Sequence, residues 1–120
     1  MNKTKNFDLE DRTARFGENI IIFCKNLHET NINRSLISQL IRSATSIGAN
    51  YCEANGASSR KDFKNKIHIC KKETIETKHW LRMISTSNPE VKDNLRILWK
   101  EAQELTLIFS KIISSLKLNH

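Results

Sequence analysis

Arg60, Lys64, Lys71, Lys78 and Arg82 recur at spacings that place them on one narrow stripe of an α-helix, with His68 at its edge. At 1.5 Å per residue the stripe runs about 33 Å, long enough to follow a polyanion backbone. Side chains of this kind neutralise phosphates and release the counterions condensed on them. A lysine-rich face can also serve merely to keep a helix solvated, so the charge of the whole chain has to decide. The formal net charge is +7, and residues 58–87 carry eight basic and three acidic groups. Five of the seven excess charges therefore fall on this one segment, with Lys61 and Lys72 widening the stripe. That concentration favours an anionic partner, RNA or DNA, over general solubility.

The other residues that could do chemistry are carboxylates. Glu73 and Glu76 lie one helical turn apart and invite comparison with metal-dependent nucleotide hydrolases on four-helix scaffolds. Such enzymes hold Mg²⁺ between carboxylates of facing helices. The carboxylate offered by the preceding helix is Glu53, which an antiparallel hairpin places near Asp62 rather than beside Glu73. His28, His68 and His79 are scattered, and no CxxC, HxxxH, glycine-rich phosphate loop or nucleophile elbow occurs. The expectation is a non-enzyme with no catalytic residue, no metal and no cofactor. Cys24, Cys52 and Cys70, odd in number and inside helical patterns, read as small buried hydrophobes in a reducing cytoplasm. The apolar run Ile20–Cys24 is too short to span a bilayer, so no membrane partner is expected.

These residues need elements to hold them, and 120 residues suffice for one domain. Three glycines and one proline are too few for many strands, which points to an all-α class. A first helix over about 9–27 carries Phe16, Ile20, Phe23, Cys24 and Leu27 on one stripe. A second over about 34–53, with Asn33 as its N-cap and Asn55-Gly56 as its stop, buries Leu36, Leu40, Ala44, Ile47, Tyr51 and Ala54. A third over about 60–85 opens on Ser59, with Asp62 in the place of the usual capping-box glutamate. Its core face is Phe63, Ile67, Cys70, Thr74, Thr77, Leu81 and Ile84. A fourth over about 89–116 starts at Pro89 after an Asn88 cap, with Leu95, Leu98, Ala102, Leu105, Phe109, Ile112 and Leu116 as its seam. Residues 1–6 and 117–120 are expected to fray. Short loops between such helices specify an antiparallel up-down-up-down four-helix bundle.

Two further faces stand out. On the second helix Gln39, Arg42, Ser46, Asn50 and Glu53 gather opposite the apolar side, where Lys and Glu would be better helix formers. On the third, Lys66, Ile69, Glu73, Glu76 and Trp80 line up away from the cations. Short amides and hydroxyls facing one way, and a tryptophan beside carboxylates, suit contact with another helix or a subunit. Arg42 pairs with Glu73 or Glu76, within the chain or across an interface.

The stretch R-S-L-I-S-Q-L-I-R-S-A-T-S-I-G-A-N-Y-C-E-A, followed by S-S-R-K-D-F-K-N-K-I-H-I-C-K-K-E-T-I-E-T-K-H-W-L, resembles the four-helix bundle proteins encoded in intervening sequences of bacterial 23S rRNA genes, the S23-type family. The residues that carry the likeness are Gln39, Arg42, Ser46, Asn50 and Glu53, then Ser59, Phe63, Glu73, Glu76, Thr77 and Trp80. Ala54 stands where many members have Gly, and Cys70 where Ala is frequent. The resemblance implies a bundle that assembles into a ring, a homopentamer. It also implies kinship with accessory proteins of diversity-generating retroelements, which form basic pentamers that bind nucleic acid and a reverse transcriptase. The expected function is that of an oligomeric nucleic-acid-binding protein using the basic stripe. The alternatives are a protein-interaction scaffold built on the polar face and Trp80 and, more remotely, the metal-dependent hydrolase. With few exposed aromatics expected among the cations, base stacking is not anticipated.

Overall fold

The computed structural model describes residues 2–118 of the chain, with side-chain environments from 9 to 117. Helix α1 (Asn2–Lys25), α2 (Asn31–Asn55), α3 (Arg60–Ser87) and α4 (Lys92–Leu118) follow in order, and a 3₁₀ turn (Pro89–Val91) leads into α4. The frayed ends expected at 1–6 and 117–120 are helical as far as Asn2 and Leu118, while Met1, Asn119 and His120 lie outside the described residues.

Cross-helix bonds give the direction of each element. Between α2 and α3, Asn33 meets Asn88, Ser43 meets Thr77 and Glu53 meets Lys66. Between α3 and α4, Arg60 meets Leu116, Thr74 meets Thr106 and Lys78 meets Gln103. In both series one number rises as its partner falls, so successive helices are antiparallel. The bundle measures 48 × 24 × 21 Å. It is closed unevenly: α2, α3 and α4 pack along their lengths and α1 lies on α2, but α1 touches α4 lightly.

The core is what the periodicity demands. Phe16, Ile20, Leu40, Ala44, Ile47, Tyr51, Ile67, Cys70, Leu81, Ile84, Ala102, Leu105 and Phe109 are all buried. Ile113 is buried where Ile112 was expected, one residue round the helix. Small hydroxyls cross this core in satisfied pairs: Thr77 Oγ1 donates to Ser43 Oγ at 3.0 Å, and Thr106 Oγ1 to Thr74 Oγ1 at 2.9 Å. At the α1–α2 crossing, a Cβ on Gly48 would sit 3.4 Å from the Thr13 carbonyl carbon, so the two backbones meet there.

Three local expectations change. The N-cap of α2 is Thr30, whose side chain accepts from the Asn33 N–H at 3.0 Å. Asn33 is instead buried, because its amide is claimed from across the bundle by Asn88, with 2.8 Å bonds in each direction. Asn88 accordingly makes no side-chain cap for the 3₁₀ turn after it. Ser59 does cap α3, accepting from the Asp62 N–H at 3.0 Å. Gly56 ends α2 at φ −97°, without the left-handed turn usual at such a glycine.

Of the three cysteines, Cys24 and Cys70 are buried and Cys52 is exposed, which corrects the reading of all three as core residues. Burial pushes the Cys24 thiol up to about 11 and the Cys70 thiol up to about 12. A thiol reagent at pH 8 should therefore label one cysteine per native chain, at Cys52, and all three after denaturation. Rapid labelling of two or more in the native state would contradict this packing.

Candidate nucleic-acid interface

The α3 stripe faces α4 rather than open solvent. Arg60 donates to the Leu116 carbonyl at 3.1 Å, and Lys78 Nζ donates to Gln103 Oε1 at 2.5 Å while lying over the Trp99 ring, 5.4 Å from its centroid. Lys64 and Lys71 are partly buried along the same flank, and Arg60 and Arg82 are exposed at its two ends. Two of the five, Arg60 and Lys78, are thus bonded across the α3–α4 seam. The basic rim continues onto α4, where Lys92, Arg96 and Lys100 recur every four residues, about 6 Å per step. Arg82, Ser85, Lys92, Leu95, Arg96, Trp99 and Lys100 line one open groove of 430 Å³.

Trp99 in this groove is 38% exposed. Few exposed aromatics were expected among the cations, and Trp99 is one that the α3 stripe alone did not include. Sequence reading passed over it because Trp99 flanks the apolar seam of its own helix. Its neighbours Lys78 and Arg82 come from α3, and the α3–α4 register alone brings them together.

Charge is segregated by seam. Among the described residues every ion pair lies on α1 or on the α1–α4 and α2–α3 seams: Arg15–Asp11, Arg12–Glu101, Arg12–Glu104, Arg42–Glu73, Arg42–Glu76 and Lys66–Glu53. None involves Lys64, Lys71, Lys78, Arg82, Lys92, Arg96 or Lys100, and neither Glu90 nor Asp93 at the start of α4 pairs with them. Unneutralised cations crowded on one flank repel each other and attract polyanions.

The polar face of α2 finds its partners inside the chain. Arg42 forks onto Glu73, at 3.4 Å, and onto Glu76, and its Nε reaches Gln39 at 3.4 Å. The Trp80 indole N–H donates to Glu76 at 3.0 Å, and that bond together with Arg42 holds the Glu76 carboxyl below its ordinary range. Trp80 is partly buried against the core. Asn50 donates to the Ser46 carbonyl and hydroxyl, each at 2.9 Å, and Glu53 accepts from Lys66 at 2.7 Å. Glu53 thus meets Lys66, one turn beyond the Asp62 expected, and stays well short of Glu73. With Arg42 on both Glu73 and Glu76, these carboxylates form a guanidinium clamp. No cluster of metal-ligating side chains occurs among the described residues.

A second clamp of the same kind went unread in the sequence. Glu101 and Glu104, also one turn apart, grip Arg12 from α1 with three bonds of 2.7–2.8 Å. Towards the loop end of the same seam the bundle opens into a groove of 330 Å³ lined by Ile22, Phe23, Leu27, Val91, Ile97 and Leu98. Ile22 there is 59% and Ile97 70% exposed. No described helix is long and apolar enough to cross a membrane.

The likenesses agree with this architecture. No curated protein matches the chain in sequence. A crystal structure of a protein of unknown function from the S23 ribosomal protein family of Bacteroides thetaiotaomicron VPI-5482 is 31% identical, with a TM-score of 0.80. The match covers 92% of this chain and 98% of that one. The family model described as 23S rRNA-intervening sequence protein matches residues 5–115. A match over nearly the whole length, carried by the same four helices, makes this chain a member of the 23S rRNA-intervening sequence protein family.

Proposed function

We propose that the protein is a cytoplasmic, non-enzymatic, oligomeric nucleic-acid-binding protein whose binding face is the α3–α4 flank. The observation that carries this reading is the segregation of charge. Every ion pair among the described residues lies away from this flank, whereas Lys64, Lys71, Lys78, Arg82, Lys92, Arg96 and Lys100 gather on it with no carboxylate partner among the described residues. Binding on such a face is governed by charge and shape, with little sequence readout and a steep salt dependence.

Assembly is supported by Ile22 and Ile97, apolar side chains left open beside the α1–α4 seam. The homopentamer implied by the family resemblance would repeat the basic flank five times and multiply weak phosphate contacts by avidity. The polar α2–α3 face, satisfied within the chain, lends less support to an interface there. Light-scattering mass with and without a structured RNA, at low and moderate salt, tests both parts. The expected result is a particle of about five times 13.9 kDa that takes up RNA and releases it as salt rises. A defined oligomer that ignores RNA would replace this reading with an interaction scaffold.

A further inference from the structure

We infer that Trp99 is a stacking platform for an unpaired nucleobase, so that the ligand of the basic flank is single-stranded nucleic acid rather than duplex. This rests on the nucleic-acid reading above and narrows it. The two tryptophans make an internal comparison. Trp80 is partly buried, and its indole N–H is held by Glu76 beside Glu73, carboxylates that repel phosphate. Trp99 shares its groove with Arg82, Lys92, Arg96 and Lys100, none of which has a carboxylate partner among the described residues.

Lys78 organises the platform. Its ammonium is anchored on Gln103 Oε1 at 2.5 Å and lies over the indole, which holds the ring by a cation–π contact while 38% of the residue stays exposed. A ring held in place before the ligand arrives loses little freedom on binding. Aromatic surface beside a track of cations is the arrangement by which single strands are held, base on ring and phosphate on cation. A duplex keeps its bases stacked inside and offers the indole nothing but backbone. Arg96, one turn before Trp99, and Lys100, next to it in the chain, line the same groove and are placed for the phosphates that flank a base seated there. The 430 Å³ groove falls within the roughly 300–1,000 Å³ span of ligand sites.

The test uses the full chain carrying Trp80→Phe, which leaves Trp99 as the sole tryptophan. It is titrated with single-stranded oligouridylate and oligothymidylate of twelve nucleotides, a twelve-base-pair duplex and inorganic polyphosphate. Stacking quenches Trp99 fluorescence with the single strands and leaves it nearly unchanged with polyphosphate. Trp99→Ala should weaken single-strand binding about five- to 150-fold, with Trp99→Phe recovering most of the loss. The duplex should be much less sensitive to either change. Unchanged single-strand affinity in Trp99→Ala, or equal quenching by polyphosphate, would overturn the platform while leaving charge-driven binding intact. Failure of every polyanion to bind would overturn the platform and the nucleic-acid reading together.

Discussion

Asn33→Ala should cost about 3 kcal/mol of stability and lower Tm by roughly 12 °C, at about 4 °C per kcal/mol for a chain of this size. The side chain is 2% exposed and is the hub of four bonds. It donates to the His28 carbonyl at 2.9 Å and to Asn88 Oδ1 at 2.8 Å, and accepts from Asn88 Nδ2 at 2.8 Å and Ser87 Oγ at 2.9 Å. These bonds tie the α1–α2 loop, the start of α2 and the end of α3 into one buried knot. Deleting the amide leaves the His28 carbonyl and the buried Asn88 Oδ1 without these partners, and an unsatisfied buried group costs about 1–3 kcal/mol. Asn88 Nδ2 keeps one bond, to the Ile84 carbonyl at 3.0 Å, so the loss is large without being total. Thermal melts of Asn33→Ala, Asn88→Ala and the double variant should show strong coupling, the second deletion costing much less than the first. Additive losses, or a single loss below about 1 kcal/mol, would show that the knot is not a unit.

The same knot shows where sequence reasoning stops. Asn33 and Asn88 each sit where a helix begins, and their short amides suit an N-cap, so local chemistry assigns both that role. Thr30, three residues before Asn33, suits it equally, and tertiary demand breaks the tie. Asn33 is wanted by a partner 55 positions away, so Thr30 caps. The helices themselves were legible because burial is written at a 3.6-residue period and glycine and proline are scarce. The direction of the bundle followed from loops too short for any other path.

The candidate site was legible by half, for one physical reason. A stripe on a single helix is fixed by 100° per residue, so the cations of α3 were visible as a row. Which neighbour covers that row depends on the rotation of α3 about its own axis in the bundle. The packing of Thr74 on Thr106 sets that rotation and turns the row toward α4, burying part of Lys64, Lys71 and Lys78 and adding Lys92, Arg96, Trp99 and Lys100. Arg42 with Glu73 or Glu76 was visible as a candidate pair, within the chain or across an interface, and the α2–α3 register places both partners within the chain. Arg12 with Glu101 and Glu104 was not, since those partners are 89 and 92 positions apart.

Replacing Arg82, Arg96 and Lys100 together by Gln should weaken nucleic-acid binding on the order of 100-fold near 0.1 M salt, alike on every sequence tried. It should also reduce the log–log salt slope by about 2 to 2.7, since each phosphate left unneutralised takes roughly 0.7 to 0.9 from it. These three are better targets than Lys71 and Lys78, although all five lie on the same flank. Lys78 anchors on Gln103 and sits over Trp99, so its removal disturbs the groove as well as its charge. Lys71 is partly covered in the seam. Arg82, Arg96 and Lys100 are exposed and make no ion pair with any described residue, so replacing them breaks no internal partnership of charge. Tm should hold steady or rise slightly as like charges are removed from one surface. Arg15→Gln, which deletes a cation paired with Asp11 on α1, serves as the charge-matched control for one position and should leave the slope as it was. A loss in that control of about one third of the triple variant's, in log affinity and in slope, would mean that net charge alone draws the polyanion. Full affinity in the triple variant would move the contact away from the α3–α4 flank altogether. A selective fall in affinity and slope with an unchanged melt would fix the interface on the side of the bundle where folding left the cations without carboxylate partners.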